Sequence, residues 1–234
     1  EKALASAHQI QDSDPKANTL IAIAEAIGKL KQAEKAVPLL QTAIDSANQI
    51  QDSYPKAEAF RAIAEVYGKL NQAEKADSLL EKALASANQI QDSSSKAEAL
   101  RDIAKAIGKL NQAEKAAPLL EKALASAHQI QSSSSKAEAL SAIAEAYGKL
   151  NQAEKAAPLL KKTLASAHQI QSSYHKANAL RTIAEAAANL KNWGQALKAT
   201  EKCPSDDCKV ESLAKVLTVY AEQQHAELKE EKKE

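Results

Sequence analysis

The sequence predicts an all-α protein, an α-solenoid of stacked antiparallel helix pairs, and three observations carry that reading. First, the block EKALASANQIQDSSSKAEALRDIAKAIGKLNQAEKAAPLL at 81–120 returns at 121–160. The copies differ only at Asn88/His128, Asp92/Ser132, Arg101/Ser141, Asp102/Ala142, Lys105/Glu145 and Ile107/Tyr147. Earlier copies begin at Glu1 and Gln41, and a later one at Lys161. A strict period of this length marks an array in which each unit buries its apolar face only against its neighbours. Second, the apolar residues inside each copy keep the helical period. Third, alanine is abundant and aromatics are only 3% of the chain. This favours closely packed helices with small contact residues over a core built on large rings.

The repeated unit resolves into two helices. Leu100, Ile103, Ala104, Ile107 and Leu110 form one face of a first helix. A longer second helix follows, with the stripe Ala116, Leu119, Leu120, Ala123, Leu124, Ala127 and Ile130. Asn111 lies between them, a residue that tolerates the left-handed conformation at a helix C-terminus, and Asn71 and Asn151 repeat it. Lys31 and Lys191 depart from it, which predicts looser turns there. Ahead of the first helix, Pro15 and Pro55 fit the first turn, and the Ser93–Ser95 and Ser132–Ser135 runs fit capping and turn formation. Pro38, Pro118 and Pro158 fall inside the second helix. A proline there removes a hydrogen bond at a cost of about 3 kcal/mol, which predicts a kink or an irregular start. Ser78 at the same place predicts a straighter helix in that unit.

The domain reading is residues 1–14 as a partial repeat with only its second helix, 15–204 as the array, 205–225 as a C-terminal capping helix and 226–234 as a charged tail. The capping helix is expected to pack on the array through Val210, Leu213, Val216, Leu217 and Tyr220. The chain starts in mid-repeat and contains no Met, which reads as a fragment of a longer protein and leaves its compartment open. Lys and Arg number 31 against 30 Asp and Glu. That balance lacks the basic excess of a nucleic-acid binder. No run of 18 apolar residues predicts a membrane span.

Laid out from Ala97, AEALRDIAKAIGKLNQAEKAAPLLEKALASA resembles a tetratricopeptide repeat. Leu100, Ile103, Ala104, Ile107, Ala116, Leu120 and Ala123 fall on the family's key positions. Ala104, Ala116 and Ala123 are the small residues that let the two helices approach. The first bulky position is Leu or Phe60, and the period exceeds the family's usual value of about 34 residues, the excess lying at the end of the second helix. The resemblance implies a right-handed superhelix, a non-enzymatic scaffold, and a protein or peptide partner in a concave groove lined by the first helices.

On that resemblance the groove positions are Glu58, Glu98 and Glu138, then Arg61, Arg101 and Arg181, with Ser141 breaking the row. Next come Glu25, Glu65, Lys105, Glu145 and Glu185, and then Lys29, Lys69, Lys109 and Lys149. Arg61, Arg101 and Arg181 are the leading binding candidates, because Arg makes bidentate contacts to carboxylates; Glu65, Lys105 and Glu145 accompany them. The competing reading is that these charges only support one another along exposed helices. Gly28, Gly68, Gly108 and Gly148 are expected to leave room for a ligand backbone. Glu at most of the third set of positions disfavours acidic chaperone tails.

Other chemistry is weaker. His8, His128 and His168 recur at equivalent sites, but stacked helices stand at least about 8–10 Å apart, too far to share a metal ion. Cys203 and Cys208 in CPSDDC suit either a disulfide across this short loop or two reduced thiols. No phosphate loop, metalloprotease or nucleophile-elbow motif is present, so no catalytic, cofactor or metal site is expected. Trp193 is expected to pack at the array's end. The rival to a binding scaffold is a structural spacer or regulatory arm of a larger protein, with end-to-end self-association through the stub carrying Leu4 and Ile10.

Overall fold

The computed structural model describes residues 2–29, 33–110 and 113–231, with the side chains of residues 28, 33–35, 113 and 226–231 outside the description. The described residues form helices and no strand. A half-unit, α1 (Lys2–Gln9), precedes five helix pairs: α2 (Ser13–Gly28) with α3 (Ala33–Asn48), α4 (Ser53–Lys69) with α5 (Ala73–Asn88), α6 (Ser93–Gly108) with α7 (Ala113–His128), α8 (Ser133–Lys149) with α9 (Ala153–Ala167), and α10 (Ser173–Asn189) with α11 (Trp193–Glu201). A final helix, α12, runs from Asp206 to Glu231.

Each first helix packs on its own second helix and on the first helix of the next unit. Among the described residues no helix packs against a unit two places away. The core is therefore a continuous seam. In the third unit Leu100, Ile103, Ala104 and Ile107 are fully buried, as are Leu120, Ala123 and Ala127 on α7. Each buried Leu or Ile of this kind stabilises by about 1.5–3 kcal/mol. The last member of the second stripe, Ile130, lies in the turn beyond α7, held by a bond from its N–H to the Ala127 carbonyl (3.2 Å). Ile50, Ile90 and Ile170 plug the same place in their units.

The local chemistry of the helix starts follows from single residues. Asp92 caps α6 by accepting from the Ser95 N–H (2.7 Å), while Ser132 and Ser172 serve α8 and α10 in the same way. Asp12 and Asp52 precede α2 and α4 but make no such bond. At those two helices Pro15 and Pro55 occupy the donor position, and proline has no N–H to give.

Several sequence expectations need correction. The second helices are not the longer ones: α4, α6 and α8 run 17, 16 and 17 residues, and α5, α7 and α9 run 16, 16 and 15. The turn at Lys191 is not looser: Asn71, Asn151 and Lys191 share φ values of 58°, 57° and 56°. All three close the same pair of main-chain bonds, at Lys191 from its N–H to Ala188 O (2.9 Å) and from Asn192 N–H to Ala187 O (2.8 Å). The backbone bonds of this helix-ending motif hold the lysine in a conformation its side chain disfavours. Lys31 and Asn111 lie outside the described residues. Pro158 does not disturb the helix start: α9 begins at Ala153 with the same capping geometry that α5, with Ser78, shows at Ala73, while the residues just before α3 and α7 lie outside the described ones. Pro38, Pro118 and Pro158 are exposed, so the carbonyl each one leaves without a donor lies on the solvent side of its helix.

A further correction concerns α12. It packs on α10 and α11 through Cys208, Ser212, Val216 and half-buried Val219, not through the bulky set expected. Of that set only Val216 is buried; Val210, Leu213, Leu217 and Tyr220 are 67%, 38%, 62% and 47% exposed. Leu4 likewise is not a free anchor, since it is buried where α1 meets α2 and α3.

Candidate functional site

Helical spacing sets the charged side chains of α4, α6, α8, α10 and α12 in rows along successive first helices. Arg61 Nε and Nη2 donate to Glu58 Oε2 (3.1 and 2.9 Å), and its Nη1 donates to Glu65 Oε1 (2.8 Å). Arg101 donates to Asp102 (2.9 Å), to Glu98 (3.3 Å) and across to Glu138 on α8 (2.5 Å). Arg181 pairs with Asn178 on its own helix and with Glu211 on α12. Lys105 stands 3.7 Å from Asp102, and Glu145 accepts from Asn189 on α10 (3.3 Å).

The rows are tied together from unit to unit. Lys109 reaches back to Glu65 (3.4 Å), and Lys215 joins Glu185 (2.7 Å). The second helices carry a parallel series, Lys115 with Glu74, Lys122 with Glu81 and Lys155 with Glu121. All three candidate arginines are thus already engaged by carboxylates, so a ligand must share or displace those partners. Asp102, Asn189, Glu211 and Lys215 escaped the sequence reading. The register between stacked helices pairs residues such as Arg101 and Glu138 at offsets shorter than the repeat, which periodicity alone does not reveal.

Partial burial tunes this face. Burial pushes the Glu58 carboxyl upward against the opposing pull of Arg61, and its Oε1 is buried without a hydrogen-bond partner. Burial also raises Glu145, outweighing its bond from Asn189 and the charge of Lys149. At Asp102 burial acts in the same direction, but the hydrogen bond and charge of Arg101 win and hold the carboxyl below its usual value. The Tyr54 hydroxyl, half-buried and bonded to Glu98, is pushed up to about 12.

Recesses lie between successive first helices. One, of about 430 Å³, is lined by Ser94, Ser134, Glu138, Asn178 and Thr182 among others. A neighbour of about 500 Å³ shares Asn178 and Thr182 and adds Arg181, Glu211 and Lys215. A third, about 540 Å³, lies at the other end of α8 and α10 beside Glu145, Lys149 and Asn189.

The glycines do not open this face to a ligand. A β-carbon on Gly68 would stand 3.0 Å from Leu110 Cδ2, one on Gly108 3.3 Å from Ala146 Cα, and one on Gly148 would overlap Leu190 Cδ2. The space they leave is filled by the next unit. The surroundings of Gly28 lie outside the described residues. His8 bonds Ser46 and Gln49, and no group of three or more potential metal ligands gathers among the described residues. The sulfurs of Cys203 and Cys208 lie at bonding distance, with Cα atoms 5.6 Å apart, closing the loop between α11 and α12. Trp193 packs edge-on against Tyr220, with ring centroids 5.2 Å apart. Among the described residues no helix is long and apolar enough to cross a membrane.

Comparison with known proteins bears on the fold. Residues 15–89 match the family model described as tetratricopeptide repeat. No curated protein matches the chain. Solved structures similar to it include a putative kinesin light chain with nearly identical TPR-like repeats from Podosopora anserina, 22% identical, covering 92% of this chain and 99% of that one at a TM-score of 0.46. Another is BtubC (BKLC) from P. vanneervenii, 16% identical, covering 95% and 91% at 0.41. A protein from Thermococcus onnurineus NA1 is 16% identical, covering 92% and 83% at 0.41. The family match is confined to residues 15–89, and the same unit recurs downstream of it in stacked helix pairs.

Proposed function

We propose that the array is a non-enzymatic scaffold that holds an extended, mixed-charge peptide segment along the face of its first helices. Tetratricopeptide arrays serve generally as protein-interaction scaffolds, and the observation that carries the reading here is the run of recesses between α6, α8, α10 and α12. The two adjoining ones share Asn178 and Thr182, and charged groups of both signs line the series. Near-identical units present similar contacts at regular intervals, so a ligand spanning several units gains by avidity. Of the candidate contact residues, Arg181 and Glu145 line these recesses, Arg101 bonds Glu138 of the first, and Arg61, Glu65 and Lys105 continue the rows on α4 and α6; each would exchange an internal partner for one on the ligand.

Surface plasmon resonance against acidic, basic and mixed-charge decapeptides tests it, using the wild type and a variant with all three arginines changed to Ala. Preferential binding of the mixed-charge set, weakened in a variant that melts like the wild type, supports the reading. Equal affinity for wild type and variant removes these arginines from it. The internal pairing of all three arginines favours a second reading, a spacer whose charges only brace neighbouring units. Absence of binding to every set, together with a loss of stability in the triple variant, distinguishes it.

A further inference from the structure

The apolar stripe on α12 has a counterpart in every earlier first helix. Aligning Lys209 with Lys176, Lys136, Lys96 and Lys56 places Leu213 with Leu180, Leu140, Leu100 and Phe60, and Leu217 with Ala184, Ala144, Ala104 and Ala64. Tyr220 falls with Ala187, Tyr147, Ile107 and Tyr67. Every one of these interior residues is buried, none more than 3% exposed. Each interior first helix packs on its own second helix as well as on neighbouring units. At α12 the face toward the preceding unit is covered, through Cys208, Ser212 and Val216, and the other is open.

We propose that the open face of α12 is a docking surface for an amphipathic α-helix of a partner protein, one with the alanine–leucine stripe of this chain's own second helices. The proposal continues an interface the molecule already builds within each of its pairs. Two features set the partner's chemistry. Leu217 and Val210 stand where the interior has alanine, so the partner must oppose them with small residues for the helices to approach. Tyr220 is braced by the Trp193 indole, which gives the surface a held aromatic anchor of the kind that dominates binding energy. Helix-in-groove recognition of this kind reads anchors at i, i+3 and i+7, the spacing of Val210, Leu213 and Leu217. The continuation of α12 to Glu231 extends the platform past the point where interior first helices end in a turn.

Trp193 is the single tryptophan of the chain and reports on this face directly. The probe is a synthetic peptide with the sequence of residues 113–130, which contains no tryptophan, titrated against the full chain and followed by Trp193 emission. The expected result is a saturable change that becomes at least about tenfold weaker in both Leu217→Asp and Val210→Asp, substitutions at exposed positions whose folding circular dichroism verifies. A peptide carrying Asp in place of its stripe leucines is expected to give no change. No saturable response, or one that persists in both variants, overturns the proposal. Sedimentation showing that the chain alone dimerises through this face, with the dimer lost in Leu217→Asp, overturns it in favour of a second copy as the occupant.

Discussion

Gly108 lies against Ala146 so closely that a β-carbon on the glycine would stand 3.3 Å from the Ala146 Cα atom. The contact is to main chain, which cannot rotate aside, so α6 and α8 must separate to accept even a methyl group. Overpacking of this kind costs about 1–3 kcal/mol, more than the ~1 kcal/mol that alanine gains over glycine in a helix. Gly108→Ala is therefore expected to destabilise. Gly148→Ala is expected to cost less, because its obstacles, Cδ2 and Cγ of half-buried Leu190, are side-chain atoms that a rotamer change at χ1 moves aside. Urea denaturation of the two variants ranks them.

Lys191 holds a left-handed conformation at the end of α10. A non-glycine residue there costs about 1–2 kcal/mol relative to glycine. Lys191→Gly is expected to raise stability by about 1 kcal/mol without altering the fold, read from the denaturation midpoint at an unchanged slope.

Arg101 and Glu138 join α6 to α8 on the face of the first helices, with side chains 28% and 38% exposed. Partly exposed pairs of this kind couple by about 0.2–1 kcal/mol. A double-mutant cycle with Arg101→Ala and Glu138→Gln is expected to give a coupling in that range that shrinks in molar salt. A coupling unaffected by salt would mean that packing of the arginine stem dominates.

Glu145 reports on burial through pH. Its carboxyl is raised above the ordinary value of 4.5, so the folded state holds this proton more tightly than the unfolded chain. The charged form then costs stability at pH values above the raised value, and the cost fades as pH falls toward 4.5. Glu145→Gln keeps an acceptor for Asn189 and removes the charge. The variant is expected to match the wild type near pH 4 and to exceed it at neutral pH, measured as unfolding free energy against pH. Asp102 has the opposite sign: its depressed carboxyl contributes stability above the usual carboxylate range that is lost as pH falls.

The period, the stripes and the small contact residues placed the paired helices, because those features depend only on spacing along the chain. Leu100, Ile103 and Ile107 are buried as their spacing requires. Features that depend on how one unit sits on the next were not legible. Gly108 looked like room for a ligand and instead makes room for Ala146. Arg101 looked available and is engaged across the unit boundary by Glu138. In α12 the sequence pointed to one bulky set, Val210, Leu213, Val216, Leu217 and Tyr220, but stacking on α10 and α11 turns Cys208, Ser212 and Val216 inward instead. At Lys191 the main-chain hydrogen bonds overrode a side-chain preference that had suggested a looser turn.

Packing confined to adjoining units should leave the molecule long in one direction, and small-angle X-ray scattering of the full chain at several dilutions measures this most directly. A compact globule of this length would have a radius of gyration of roughly 17 Å. A value well above that, with a skewed pair-distance distribution that does not change on dilution, is the expected result. A symmetric distribution at the compact value would contradict the linear array.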